Sequence, residues 1–188
     1  MSGTLAERVD RLEALHAIGQ LAIRYAVAVD GRDVESWLAL FPQDVCCGRH
    51  GTGREVLRSL IVPQLRSFYR SIHSLGGHRV ELDGPDRGRG IVYCRAEHEV
   101  GERWMVMTVA YFDDYVRQDG DWYFARRRER HWYSADQAER PAPPFHRWPE
   151  DAPAERLPAE FPTWLAFWNE TEEDVVAHLT RAPVRSQP

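Results

Sequence analysis

The spacing of apolar residues changes once along the chain, and this change restricts the folds that the chain can adopt. Up to residue 72, apolar residues recur at intervals of three or four, which is the period of a helix that packs on one side. From His73 onward they alternate with polar residues, as in strands with one buried face. The sequence therefore predicts an α+β domain whose helices precede its sheet.

The first predicted helix has a clear start and a clear end. Thr4 and Glu7 form a capping box at its beginning, and Gly31 follows its last turn. The apolar positions of this helix continue as far as Val29. A helix of this length and pattern is expected to pack on a large apolar surface.

Two shorter helices are predicted before the sheet. Residues 33–41 place Trp37 and Phe41 on one apolar side. A third helix is predicted over residues 54–60, and Pro63 is expected to interrupt it because proline lacks the backbone N–H.

Four strands are predicted in the second part of the chain, and the third of them is apolar on both faces, as in a central strand. The turn at residues 83–86 separates the first two, and Asp119-Gly120 is a strong hairpin signal before the last. We expect a strongly curved sheet, mixed or antiparallel, that is lined by the helices and closes into a cone. The predicted strands are residues 78–82, 91–100, 104–116 and 122–133.

The last predicted strand carries four arginines within five residues: Arg126, Arg127, Arg128 and Arg130. Such a run is compatible with a phosphate or polyanion site. The neighbouring acidic residues and the negative net charge instead favour a solvated outer face with ion pairs.

Composition excludes several classes of function. The net charge of -5 gives neither the basic footprint of a nucleic-acid-binding protein nor a polybasic membrane patch. The chain contains no lysine, which excludes chemistry that depends on a lysine Schiff base or a phosphate-loop lysine. Its three cysteines fit neither a disulfide framework nor a zinc site, and no apolar run reaches membrane-spanning length. We therefore expect a cytoplasmic protein.

Two residues stand out as candidates for chemistry. Asp30 lies in the last turn of the first helix, where the partial negative charge of the helix end disfavours an acid without a compensating partner. Asp30 is therefore either a solvated terminal residue or a functional carboxylate. His98 lies on the apolar face of its strand, where a core histidine and a pocket histidine are both reasonable.

A change in composition marks a boundary near residue 136. We expect one domain over residues 1–136 and an extension over residues 137–188. The extension is rich in proline, yet it also carries too many aromatic residues for a disordered tail. We expect it to wrap around its own domain or a neighbouring subunit.

Three runs of sequence resemble one known family. RYAVAVDGRDVESWLALF, IHSLGGHRVELDG and YFDDYVRQDGDWYFARR, in this order, are similar to the SnoaL-like branch of the nuclear transport factor 2-like superfamily. This branch includes scytalone dehydratase, the lindane dehydrochlorinase and the bile-acid dehydratase. The resemblance covers residues 5–136 and implies the cone-shaped α+β barrel fold.

The resemblance also implies a set of site residues. Asp30 matches the helix-end aspartate of these enzymes, and His73 matches the histidine that the aspartate orients as general base. Tyr25 falls where they place a tyrosine or a lysine. His98 lies on the strand that supplies a second pocket histidine, and His131 falls near the position of a pocket arginine.

We further expect Trp37 and Phe41 to contact the substrate together with His98 and His131. The implied reaction is a cofactor-independent lyase or isomerase step on a small, hydrophobic, oxygenated compound of the polyketide, steroid or terpenoid type. The spacing of Asp30, His73 and His98 matches no metal motif, so no metal is expected.

Other functions remain compatible with the sequence. A cyclase could use the same dyad, and a non-catalytic member of the superfamily could bind a hydrophobic ligand or serve as a partner subunit, like the small subunits of ring-hydroxylating dioxygenases. No nucleic acid or membrane partner is expected. A homo-oligomer, either a dimer or a trimer, is expected.

Overall fold

The structure of the protein is a computed structural model, and it describes residues 3–139 and residue 148. The helices come first and the strands follow, as the change in periodicity predicts. In chain order the elements are α1 (Leu5–Asp30), α2 (Val34–Leu38), a short 3₁₀ helix (Gly48–His50), α3 (Arg54–Arg66), β1 (Ser71–Leu82), β2 (Arg87–Val100), β3 (Arg103–Gln118) and β4 (Asp121–Asp136).

Helix α1 begins at the predicted capping box. The backbone N–H of Glu7 donates to the Thr4 hydroxyl, and the Glu7 carboxylate accepts the N–H of Thr4 at 2.7 Å. Only the later turns of α1 pack on the sheet, through buried residues such as Ile18 and Leu21. Leu5 near the start is 73% exposed in the single chain, so the expected packing of the whole helix is wrong for its first turns.

Helix α3 continues through Pro63, contrary to the predicted interruption. Proline removes one helical hydrogen bond, the one to the carbonyl of Ser59. Ile61 and Leu65 lie on either side of Pro63 and are both buried in the core. Burial of these two side chains stabilises the helix across the missing hydrogen bond, because tertiary packing routinely outweighs local propensity.

The four strands form one sheet in the order β1-β2-β3-β4, and neighbouring strands are antiparallel. Asp119 and Gly120 connect β3 to β4 with φ angles of 51° and 92°, which a type I′ hairpin turn requires. The register shifts once in the β1-β2 pair and twice in the β3-β4 pair. Such bulges bend strands, and α1 packs against the curved sheet as expected for the α+β cone.

The two register shifts in β4 change which side chains face the core. They lie between Phe124 and Arg126 and between His131 and Tyr133. Phe124 and Arg127 therefore point to the same side, although simple alternation places them on opposite faces. The predicted solvated face is wrong for Arg127, whose side chain is 6% exposed and forms an ion pair with the fully buried carboxylate of Asp113.

None of the helices in the described part of the chain is long and apolar enough to cross a membrane. Most aromatic residues of the extension, from Phe145 to Trp168, lie outside the described residues. Trp148 is described, and its buried ring packs against Phe68 and His98. For this one residue, the expected packing of the extension on its own domain is confirmed.

Candidate active site

The structure brings Asp30 at the end of α1 next to His73 on β1. The Asp30 Oδ1 atom lies 2.7 Å from Nδ1 of the His73 ring, and Oδ2 accepts the backbone N–H of His73 at 2.8 Å. The hydroxyl of Ser71 donates to Oδ1 at 2.8 Å. Asp30 therefore receives hydrogen bonds from both the ring and the backbone of the same histidine, which fixes its position relative to β1.

These hydrogen bonds explain how an acid is accommodated at the C-terminal end of a helix. Burial by itself raises the pKa of Asp30, but the hydrogen bonds from His73 and Ser71 and the charge of His73 lower the pKa overall. Arg32 supports the same region, because its guanidinium donates to the Val29 carbonyl and to the Ser71 hydroxyl. The charged form of the carboxylate is thus the favoured one.

A cavity lies beside His73, between α1, α3 and the inner face of the sheet. Its volume is about 40 Å³, which is room for a few water molecules, so an organic substrate requires lining side chains to move. Tyr25 and His98 also line the cavity, and the remaining lining is mostly apolar. The other lining residues are Val29, Ile61, Gln64, Leu65, Phe68, Ala96, Met107, Val109, Tyr111, Glu129 and Trp148.

His98 faces this cavity. The centroid of its ring lies 4.7 Å from the ring centroid of Trp148 and 4.6 Å from that of Phe68. The rings of His98 and His73 meet edge to face, with their centroids 5.5 Å apart. Burial, followed by the neighbouring charge of His73, lowers the pKa of His98 to about 4. His98 is therefore neutral at pH 7, and its buried Nδ1 has no hydrogen-bond partner among the described residues.

Tyr25 lines the same cavity from α1, although ideal helix geometry directs it well away from Asp30. Tyr25 and His73 both line the cavity, whereas Asp30 reaches it only through its hydrogen bonds to His73. Burial raises the pKa of Tyr25 to about 12, and its hydroxyl stays protonated at neutral pH. The ring packs against Tyr111 and Phe124, and the Arg127 guanidinium lies 4.3 Å from its centroid.

The sequence did not single out Glu129, which the structure places on the cavity. His131, which the resemblance suggested, is buried behind it and does not appear in the lining. The His131 Nε2 atom lies 2.6 Å from the Glu129 carboxylate, so His131 contacts the cavity through Glu129. Alternation along the last strand places Glu129 and His131 on one face. Because that strand was expected to form a solvated outer face with ion pairs, Glu129 was not predicted to line a cavity.

Trp37 and Phe41 are buried, but neither lines the cavity beside His73. They line a second pocket, which shares Tyr25 with that cavity. The structure thus gathers Asp30, His73, Tyr25 and His98 at one place and separates Trp37 and Phe41 from it. Among the described residues, no three His, Cys, Asp or Glu side chains are grouped in a way that could hold a metal ion.

The fold and this cavity define an α+β cone with a histidine that lines the cavity and an aspartate that is hydrogen-bonded to this histidine. The chain belongs to the SnoaL-like domain family, whose sequence profile matches residues 10–128. No curated protein matches the chain in sequence.

Several solved structures share this fold. LinA is 26% identical, with a TM-score of 0.63 over 71% of this chain and 95% of LinA. Hexachlorocyclohexane dehydrochlorinase LinA-type3 from Novosphingobium barchaimii LL02 is 24% identical, with a TM-score of 0.62 over 71% of this chain and 96% of that one. A protein of Novosphingobium aromaticivorans DSM 12444, provisionally named a scytalone dehydratase, is 22% identical, with a TM-score of 0.61 over 71% and 93% of the two chains.

Proposed function

We propose that the protein is a cofactor-independent lyase or isomerase in which His73, oriented by Asp30, removes a proton from carbon. The hydrogen bonding between Asp30 and both the ring and the backbone of His73 carries this proposal. The dehydrochlorinase and dehydratase names of its structural relatives are in agreement with it. The Asp-His dyad requires no cofactor.

The proposed mechanism follows from the roles of the two ring nitrogens. Because Nδ1–H of His73 donates a hydrogen bond to the Asp30 carboxylate, the Nε2 atom of His73 is left as a proton acceptor. It takes a proton from a carbon next to an activating group, and the negative charge of Asp30 stabilises the resulting imidazolium. The electron pair of the broken C–H bond then either expels a leaving group from the neighbouring carbon or shifts a double bond.

Other cavity residues would bind the oxygens of the substrate. The protonated hydroxyl of Tyr25 can donate a hydrogen bond to a carbonyl oxygen. The unpartnered ring nitrogen of His98 can bind a hydroxyl group, and Glu129 offers an acceptor. The apolar remainder of the lining suits a hydrophobic, oxygenated substrate of the polyketide, steroid or terpenoid type.

The test uses an aromatic β-hydroxy ketone as probe, in D₂O. NMR follows exchange of the proton next to the carbonyl, and ultraviolet absorbance follows formation of the conjugated enone. We expect His73→Ala and Asp30→Asn each to slow exchange by about 10²–10⁴-fold, the usual contribution of acid-base catalysis. The double variant is expected to be no slower than His73→Ala, because the two residues act as one unit.

The control is His16→Ala, which removes an exposed histidine of α1 outside the cavity and is expected to leave the exchange rate unchanged. Equal rates for wild type and His73→Ala would overturn the dyad mechanism. If both rates also equal the uncatalysed rate, the remaining function is the non-catalytic one, a ligand-binding or partner subunit. Exchange without enone formation would instead favour an isomerase or a cyclase over a lyase.

A further inference from the structure

The second pocket shares Tyr25 with the cavity beside His73. We call the second pocket the arginine pocket and the cavity beside His73 the dyad cavity. It is about 360 Å³ in volume, far larger than the dyad cavity. It lies at the edge strand β4, where the backbone N–H of Phe124 donates to the Leu40 carbonyl at 2.9 Å. Its apolar lining includes Trp37, Phe41 and Leu57.

The charges on the arginine pocket all have the same sign. Arg126, Arg127 and Arg128 line it, and the lining contains no acidic side chain within the described residues. Asp113 offsets the charge of Arg127. Among the described residues, the acid nearest to Arg128 is Asp114, which is half exposed and lies 3.7 Å away, and the exposed Arg126 has no ion-pair partner.

The arginines also offer unused hydrogen-bond donors. Nη1 of Arg127 and Nε of Arg128 are buried atoms without a hydrogen-bond partner in the described part of the chain. Buried donors normally have an acceptor, so each exception needs an explanation. An arginine side chain donates only, so the missing partners are acceptors, and a carboxylate is the acceptor that fits a guanidinium best.

We propose that the arginine pocket binds an amphipathic anion, namely a hydrophobic carboxylic acid in its ionised form. The apolar body packs on Trp37, Phe41 and Leu57, and the carboxylate lies between Arg126 and Arg128, where it accepts a hydrogen bond from Nε of Arg128. A concave site of this volume with an apolar floor suits a small organic molecule. This site differs from the dyad cavity, where Glu129 in the lining and Asp30 behind His73 disfavour an anion.

The test compares naphthoate with its neutral isostere naphthamide by calorimetric titration. Wild type is expected to bind naphthoate roughly five- to tenfold more tightly, because charge-assisted hydrogen bonds to arginine form only with the anion. The double variant Arg126→Gln/Arg128→Gln is expected to bind the two compounds equally. The control Arg24→Gln removes an exposed arginine of α1 outside the pocket and is expected to keep the preference.

A second measurement locates the bound acid. Cys46 lines the arginine pocket and is exposed, whereas Cys94 is buried. In a Cys47→Ser variant, saturating naphthoate is expected to slow alkylation of Cys46 by iodoacetamide. Naphthoate binding is expected to survive in His73→Ala, so this test does not depend on the proposed reaction.

Three results would overturn the proposal. The first is an equal affinity of wild type for naphthoate and naphthamide, or no binding of either compound. The second is an unchanged preference in the Arg126→Gln/Arg128→Gln variant. The third is loss of naphthoate binding in His73→Ala without protection of Cys46, which would assign the acid to the dyad cavity.

Discussion

Asp30 and Asp113 each accept two hydrogen bonds from one basic residue, and Tyr25 is near both pairs, because it lines the cavity beside His73 and contacts Arg127. Asp30 binds the ring and backbone N–H of His73 at 2.7 and 2.8 Å, and its side chain remains 25% exposed. Asp113 binds Nε and Nη2 of Arg127 at 2.9 and 2.7 Å, and its side chain is fully buried. The geometries are alike, but the basic partners differ.

The partner determines what each pair can do. Burial by itself lowers the pKa of Arg127, but Asp113 raises it, so the guanidinium does not release a proton. An imidazole exchanges its proton within the physiological range and can transfer it to or from a substrate. Burial of a carboxylate therefore does not by itself indicate an active site. The proposed reaction also requires a partner that lines a cavity and can give up its proton.

The largest expected effect concerns the Asp113–Arg127 pair. Asp113→Ala leaves the buried guanidinium of Arg127 without a counter-charge, which typically costs about 3–5 kcal/mol of unfolding free energy. Urea unfolding followed by tryptophan fluorescence measures the loss. The proposed reaction is not expected to need this pair, so any variant protein that folds should keep its proton-exchange rate.

Asp114→Ala is a matched control for this prediction. Asp114 is the next residue on β3, its side chain is 46% exposed, and Arg128 lies 3.7 Å away. A surface pair of this kind contributes little, so the expected change is within about 0.5 kcal/mol. Similar losses for Asp113→Ala and Asp114→Ala would contradict the structural role of the buried pair.

The second prediction concerns the pH dependence of stability caused by His98, which lines the cavity beside His73. The pKa of His98 is about 4 in the folded protein, against an ordinary 6.5 in the unfolded chain. Between these values the unfolded chain holds a proton that the folded protein does not, so stability falls as the pH is lowered. The slope is at most about 1.4 kcal/mol per pH unit, and it is present only in this window.

His98→Phe removes this slope, because phenylalanine cannot take up a proton but can still pack against Phe68 and Trp148. The variant is expected to gain stability relative to wild type as the pH falls from 6.5 towards 4. Asp30 and Glu129 oppose this effect, whereas His73 and Arg32 reinforce it. Urea unfolding at several pH values measures the difference, and parallel stability curves for the two proteins would refute the assignment.

The order and type of the elements could be predicted from the sequence. The change of period at residue 73, the capping box at Thr4 and the Asp119-Gly120 turn all act locally, and each is confirmed. The antiparallel sheet follows from the short turns between its strands. The continuation of α3 through Pro63 could not be predicted, because it depends on the burial of Ile61 and Leu65 in tertiary contacts.

Simple alternation of residues could not predict which side chains of β4 face the core. Two bulges shift the register, so Phe124, Arg127 and Glu129 all point inward. A bulge leaves no mark in a pattern where both faces carry charged and aromatic residues. The contact between Asp30 and His73 was expected from the family resemblance alone, because spacing along the chain does not show that residues 43 positions apart meet.

The smallest expected effects on stability come from removing the one hydroxyl group that donates to each of the two aspartates, Asp30 and Asp113. Ser71 donates to Asp30 at 2.8 Å, and Tyr115 donates to Asp113 at 3.0 Å. Ser71→Ala and Tyr115→Phe are each expected to cost about 0.5–1.5 kcal/mol of unfolding free energy. They should differ in catalysis, because the Ser71 hydrogen bond helps to lower the pKa of Asp30. Proton exchange on the β-hydroxy ketone is expected to slow several-fold in Ser71→Ala and to stay at the wild-type rate in Tyr115→Phe, whereas equal slowing in both would mean that the Asp113 side also serves the reaction.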